Sequence, residues 1–216
     1  DLDPERRRQL ARRLGCPDFE SLTELKNSSL MISGVVILDT TLPHFSSAQE
    51  ALELDYHVWV EKPLGTEEEI LQAFVLAQQK HKFLMVDYPK RMDHAYQEFV
   101  LEIQEQKKKG NMTHQMHLVT REEGSPSGFS SEMMDLVSHE IDLSLWALKE
   151  VPQQVMSVGI EKEGRTTLEI TLQYESGTLV QISGTLQVDS EVARFDQRAE
   201  AWGDYGGLTL ENPVPP

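Results

Sequence analysis

Apolar residues recur at two spacings in this chain, and each spacing predicts a different element. The first segment, "PERRRQLARRL", follows Asp3, begins on Pro4 and stops at Gly15, which predicts a helix. "SGVVILDT" is a continuous apolar run with a polar end, which predicts a parallel strand buried on both faces. In "SSAQEALEL", Ala48, Ala51 and Leu52 recur at helical spacing, with Ser47 and Glu50 as a candidate capping box. "HVWV" predicts a short strand. Thr66 and Glu69 form a second capping box ahead of "EEEILQAFVLAQQK", where Ile70, Leu71, Phe74, Val75 and Leu76 form the apolar stripe. "KFLMVDY" predicts another buried strand. This alternation of strand and helix implies right-handed crossovers and a doubly wound parallel sheet. Ligands of such sheets lie outside the carboxyl ends of the strands, so residues 39–44, 61–63 and 88–91 are candidate rim segments.

Past "YPKRMD" the periodicity changes. "DHAYQEFVLEIQEQKKKG" predicts a helix with a basic last turn and Gly110 as its stop. "NMTHQMHLVT" alternates like a half-exposed strand, and one long helix follows near residues 131–148. The remainder predicts strands, with turns at Gly177 and at "DYGG". A run of strands behind a parallel-sheet domain implies a second, α+β domain with a largely antiparallel sheet. The boundary is expected near residue 90.

Composition narrows the partners. The 36 acidic residues outweigh 20 Lys plus Arg, for a formal net charge of −16. That balance argues against nucleic acid or an anionic membrane and favours a small ligand. Cys16 is the only cysteine, so neither an internal disulfide nor a cysteine metal cluster can form. With no signal-peptide pattern and no membrane-length apolar run, the expected location is the cytoplasm.

Two stretches carry candidate chemistry. In "HVWVEKPLG" an acid, a base and a proline follow directly on a strand, which suits a rim site and equally suits a solvated turn. In "SSEMMDLVSHEIDLSLWAL", Ser131, Asp135, Ser138, His139 and Asp142 line one face of an otherwise apolar helix. Asp135 and His139, four apart, have the spacing for a carboxylate that orients an imidazole, although such pairs on helices are commonly structural. His114 and His117 fall on opposite faces of a strand and are poor joint metal ligands, so no metal site is expected. Lys107 to Lys109 read as a solvated helix end.

The ordered set of segments resembles the glucose–fructose oxidoreductase / inositol dehydrogenase family of NAD(P)-dependent oxidoreductases. "VVILDTTLPHFSSAQEALELDYHVWVEKPLGTEEE" resembles its signature region, "KFLMVDYPKRMD" its next strand, "EMMDLVSHEIDLSLWAL" its D-x-x-x-H helix and "RAEAWGDYGGLTLENP" its late hairpin. The resemblance implies a hydride transfer between NAD and a secondary alcohol of a sugar or cyclitol, with a polyol or sugar as small-molecule partner. It implies that Lys62, Asp135 and His139 are catalytic: His139 takes the hydroxyl proton, Asp135 orients it and Lys62 holds the oxygen. It also implies cofactor contacts at Asp1, Thr40, Leu42, His44, Glu61 and Lys62, and substrate contacts at Lys62, Arg121, Asp135 and His139. Asp1 would receive the adenosine ribose and favour NAD over NADP. A homo-oligomer through the C-terminal sheet is expected. None of the 13 glycines forms the G-x-G-x-x-G expected for the pyrophosphate, and the late strands end after one hairpin. The resemblance therefore implies a chain shortened at both ends, with residues 1–90 the remainder of a dinucleotide-binding domain, its doubly wound (Rossmann) parallel sheet incomplete, and 91–216 an α+β substrate and oligomerisation domain. The alternative is a non-catalytic relative that keeps the fold as a ligand sensor or interaction module.

Overall fold

Short apolar strands paired in parallel organise the first part of the molecule. In the computed structural model, residues 3–38, 44–123, 131–162, 164–187 and 196–211 are described. The chain divides into two compact units, Asp1–Asp87 and Tyr88–Pro216.

In the first unit, β1 (Gly34–Ile37), β2 (His57–Glu61) and β3 (Leu84–Asp87) form a parallel sheet in that order. Val35 lies opposite Val58, and Val60 opposite Val86. Helices α1 (Pro4–Leu14) and α2 (Leu22–Lys26) precede the sheet, α3 (His44–Glu53) joins β1 to β2, and α4 (Glu67–Gln79) joins β2 to β3. Asp3 caps α1 by accepting from the amides of Glu5 and Arg6, and Gly15 ends it in the left-handed conformation at φ 68°. The core consists of Ile37, Val58 and Val60 from the strands, Ala48, Ala51 and Leu52 from α3, and Ala73 and Ala77 from α4.

Three sequence expectations differ from this arrangement. The first strand is buried on one face only, since Val36 is 61% and Leu38 64% exposed while Ile37 is buried. The α4 stripe turns about its small residues. Ala73 and Ala77 are buried and Ile70 and Leu76 flank them, whereas Leu71, Phe74 and Val75 face solvent. Alanine lets the helix approach closely, and that fixes which face points inward. Ser47 lies inside α3, which begins at His44, so it is not the start of a helix. The Thr66–Glu69 capping box is present.

The second unit opens with a 3₁₀ turn at Pro89–Arg91, then α5 (His94–Lys108), β4 (Thr113–Glu123) and α6 (Ser131–Leu148). Five strands follow: β5 (Pro152–Lys162), β6 (Arg165–Tyr174), β7 (Leu179–Gln187), β8 (Asp196–Gly203) and β9 (Gly206–Glu211). The sheet order is β5-β6-β7-β4-β8-β9, antiparallel throughout except where β4 runs parallel to β7. One face is apolar. Leu168, Ile170, Leu172, Val180 and Ile182 from β6 and β7 pack with Met133, Val137, Leu143 and Ala147 from α6, and with Phe99, Val100 and Ile103 from α5. Lys107, read as part of a solvated end, donates to the Leu148 carbonyl that ends α6 and to Glu150 at 2.7 Å.

Gly184 on β7 sets how closely α6 approaches the sheet. A Cβ there would lie well inside contact distance of Val137 Cγ1 and 3.2 Å from Met133 Sδ. Val137 is β-branched on a helix and has little rotamer freedom with which to give way. Gly184→Ala should therefore destabilise the chain by about 1–3 kcal/mol through overpacking, measured by urea unfolding. Unchanged stability would show that α6 does not sit this close.

Candidate active site

Lys62 stands in a loop that is fastened on both sides. β2 ends at Glu61, opposite Asp87 of β3, and the Lys62–Pro63 peptide is cis. The buried His44 places Nδ1 2.9 Å from the Pro63 carbonyl oxygen. A carbonyl only accepts, so Nδ1 carries the proton. Leu64 is buried next to it, and the Thr66 cap then takes over: Thr66 N–H donates to Glu69 Oε2 at 2.7 Å. A side chain at Gly65 would strike the same carboxylate, since its Cβ would fall 2.6 Å from Oε2. A half-buried lysine thus projects from a short, tied loop at the carboxyl end of a parallel strand.

Helix α6 carries the other candidates, in the second unit. Asp135 is exposed and His139 half-buried, one turn apart. Three residues of the turn after β3 reach this helix around His139. The Tyr88 ring meets the His139 imidazole edge-on, with centroids 6.0 Å apart and planes at 85°. Lys90 pairs with Glu140. Arg91 binds Asp142 through two parallel hydrogen bonds of 2.8 Å and lies over the Trp146 ring.

The Lys90–Glu140 pair is fully interior, with side chains 8% and 1% exposed. Burial pulls the Lys90 ammonium below its ordinary pKa and pushes the Glu140 carboxyl above its own, while each charge works to hold the other ionised. Lys90 also lies 4.9 Å above the Tyr96 ring, whose hydroxyl donates to Gln197 at 2.9 Å. The Thr120 hydroxyl is near enough to favour the charged carboxylate, yet neither Thr120 Oγ1 nor Glu140 Oε1 makes a well-formed hydrogen bond. The Tyr88 phenol is raised by burial and then by the Asp142 and Asp135 carboxylates, against the Arg91 charge, so it stays protonated.

Of the other expected positions, Asp1, Thr40 and Leu42 lie outside the described residues. Arg121 is exposed on β4 and its guanidinium is 3.6 Å from Asp196 of β8. Residues 88–91 read as a rim segment in the sequence and Asp142 as part of the polar face of the helix, but the pairing of Lys90 with Glu140 and of Arg91 with Asp142 has no local mark there. Among the described residues, no helix is long and apolar enough to cross a membrane.

Comparison with known proteins gives two adjoining matches. Residues 1–88 match the oxidoreductase family with an NAD-binding Rossmann fold, and residues 111–209 match the GFO/IDH/MocA C-terminal domain. A UDP-N-acetylglucosamine 3-dehydrogenase from Acidithiobacillus ferrooxidans is 27% identical over 214 residues, covering 90% of this chain and 61% of that protein. A crystal structure of that dehydrogenase superposes with a TM-score of 0.79 at 23% identity, over 98% of this chain and 67% of that one. An apo scyllo-inositol dehydrogenase from Lactobacillus casei shares the fold, with a TM-score of 0.80 at 18% identity over 100% of this chain and 66% of that one.

Removing one partner of the interior pair leaves the other charge buried and unmatched. Glu140→Ala should cost roughly 3–5 kcal/mol, whereas the double variant Lys90→Met/Glu140→Leu should recover most of that loss. Chemical denaturation of the three proteins checks this. A single variant no less stable than the double variant would contradict the pairing.

Proposed function

Because the chain belongs to the GFO/IDH/MocA oxidoreductase family, we propose that it serves a hydride transfer between NAD and a secondary alcohol of a sugar or cyclitol. The observation that carries this reading is the retention, in family order, of a tied lysine loop after β2 and an aspartate–histidine turn on α6. A UDP-linked amino sugar is one candidate substrate class, from the name of the relative in A. ferrooxidans.

Oxidising a secondary alcohol requires a proton to leave oxygen as a hydride leaves carbon. His139 takes the proton, and Asp135, one turn earlier on the helix, orients the imidazole and contacts the substrate. Lys62 donates a hydrogen bond to the substrate oxygen and stabilises the negative charge that develops there. Arg121 is a further substrate contact. When bound, NAD supplies the hydride acceptor.

The residues present fit the nicotinamide end of that cofactor: a fixed cation beside Glu61 at the carboxyl end of a parallel strand, supported by His44. Thr40 and Leu42 are the further nicotinamide contacts that the family resemblance implies. The 13 glycines contain no G-x-G-x-x-G to cradle a pyrophosphate. Asp1 would favour NAD over NADP by repelling a 2′-phosphate. The setting is cytoplasmic. Self-association is assigned to the open face of the second sheet, where Met156, Val158 and Ile160 of β5 are exposed beside a polar field that includes the Gln115–Gln181 hydrogen bond.

His139→Ala should lower turnover of a sugar or cyclitol by roughly 10²–10⁴-fold, the usual contribution of a general base, with NAD affinity little changed. Lys62→Ala should lower the rate and also weaken substrate binding. The wild-type rate should rise with pH through one ionisation that His139→Ala loses. Steady-state kinetics corrected for folded fraction decide the matter, and near-normal turnover of His139→Ala would remove it as the base. Tight ligand binding without any turnover would instead support a non-catalytic ligand module.

A further inference from the structure

We propose that Tyr88 is a positioning residue for His139: its ring, seated against α6 by the Lys90 and Arg91 anchors that follow it, fixes the plane of the imidazole. The assignment rests on the reading of His139 as the proton acceptor. An imidazole on a helix has a broad, roughly two-fold torsion about its last bond, so the helix backbone alone does not aim its nitrogens. A proton acceptor needs one nitrogen held toward the reacting hydroxyl. The Tyr88 ring supplies a restraint on the ring plane beside that of Asp135, since the two ring planes cross at 85° with centroids 6.0 Å apart. That is the edge-to-face geometry aromatic pairs prefer.

The restraint is itself held. Tyr88 immediately precedes the 3₁₀ turn Pro89–Arg91, and two side chains of that turn are bound to α6. Lys90 grips Glu140, the residue after His139, inside the core. Arg91 grips Asp142 through Nε and Nη2, one edge of its guanidinium, at 2.8 Å each. A displacement of the Tyr88 backbone would have to disturb one of these pairs. Burial, with the nearby Asp142 and Asp135 charges, keeps the phenol neutral, so the ring's electrostatic character is constant across the working range. Leucine at the position would fill comparable space without a ring edge, whereas phenylalanine would retain it.

The test is NMR of the His139 ring in the chain as it stands, with its resonances assigned by their loss in His139→Gln. Tyr88→Phe should leave the ring-nitrogen shifts and the contacts from the His139 ring protons to its own backbone as in the wild type, and Tyr88→Leu should change both beyond the ring-current loss that removal of the Tyr88 ring causes by itself. A folded Tyr88→Leu protein with wild-type ring-nitrogen shifts and wild-type contacts to the His139 backbone would overturn the proposal. If Tyr88→Leu does not fold, contacts between the Tyr88 and His139 ring protons in the wild type, kept in Tyr88→Phe, support it, and their absence overturns it. Where turnover is measurable, Tyr88→Leu should lower kcat about 2- to 10-fold, the worth of one aromatic pair, with KM little changed and Tyr88→Phe restoring the rate. The NMR readout does not depend on catalysis, so an inert protein with the shift pattern intact would sink the functional reading and leave the positioning role standing.

Discussion

The interior pair of Lys90 and Glu140 is the constraint on which the second unit turns. A lysine and a glutamate that are almost fully buried cannot each be left alone, because an unmatched interior charge costs several kcal/mol. Their attraction roughly offsets their desolvation, so the pair adds little net stability and a great deal of register. Sliding α6 by one residue past the turn at Pro89–Arg91 would strand both charges. The same slide would break the paired hydrogen bonds between Arg91 and Asp142 and force Val137 off the space that Gly184 leaves open. His139 sits directly before Glu140, so a helix held in register by charge also delivers an imidazole to a defined place.

The first unit fastens a loop with hydrogen bonds and a cap in place of an interior charge pair. Lys62 must project from a loop and still be held. The His44–Pro63 hydrogen bond, the buried Leu64 and the capping box at Thr66 and Glu69 fasten the residues that follow it. Side-chain hydrogen bonds to loop backbone are worth about 1 kcal/mol each. They offset part of the backbone entropy lost on ordering, of order 1–2 kcal/mol per residue, and the burial of Leu64 adds to them.

Features set by neighbours in the chain were legible from the sequence. The Thr66–Glu69 box, the Gly15 stop, the limits of α6 and the turn at Gly177 all arise within a few residues and appear where local chemistry places them. Features set by distant partners were not. Lys90 and Glu140 are 50 residues apart, and nothing near either one signals that both are interior. The parallel pairing of β4 with β7 inside an otherwise antiparallel sheet depends on a long connection and leaves no local mark. β1 read as two-faced because a run of valine and isoleucine does not say which face a helix covers, and Val36 turned out exposed. The α4 stripe failed for a related reason: large apolar residues were expected inside, but Ala73 and Ala77 allow the tightest contact. Of the expected site, the Lys62 loop and the α6 face were visible as motifs, and the Tyr88 and Arg91 contacts around His139 emerged only in three dimensions.

The most direct measurement follows the atoms. The protein would be incubated with NAD and a panel of inositols and UDP-linked sugars carrying deuterium at each secondary carbinol carbon in turn. The account expects one carbinol position in one substrate class to yield a ketone and, in equal amount, reduced nicotinamide bearing that deuterium. Binding of these compounds with no deuterium in the nicotinamide, or label appearing only in water, would contradict hydride transfer as the function.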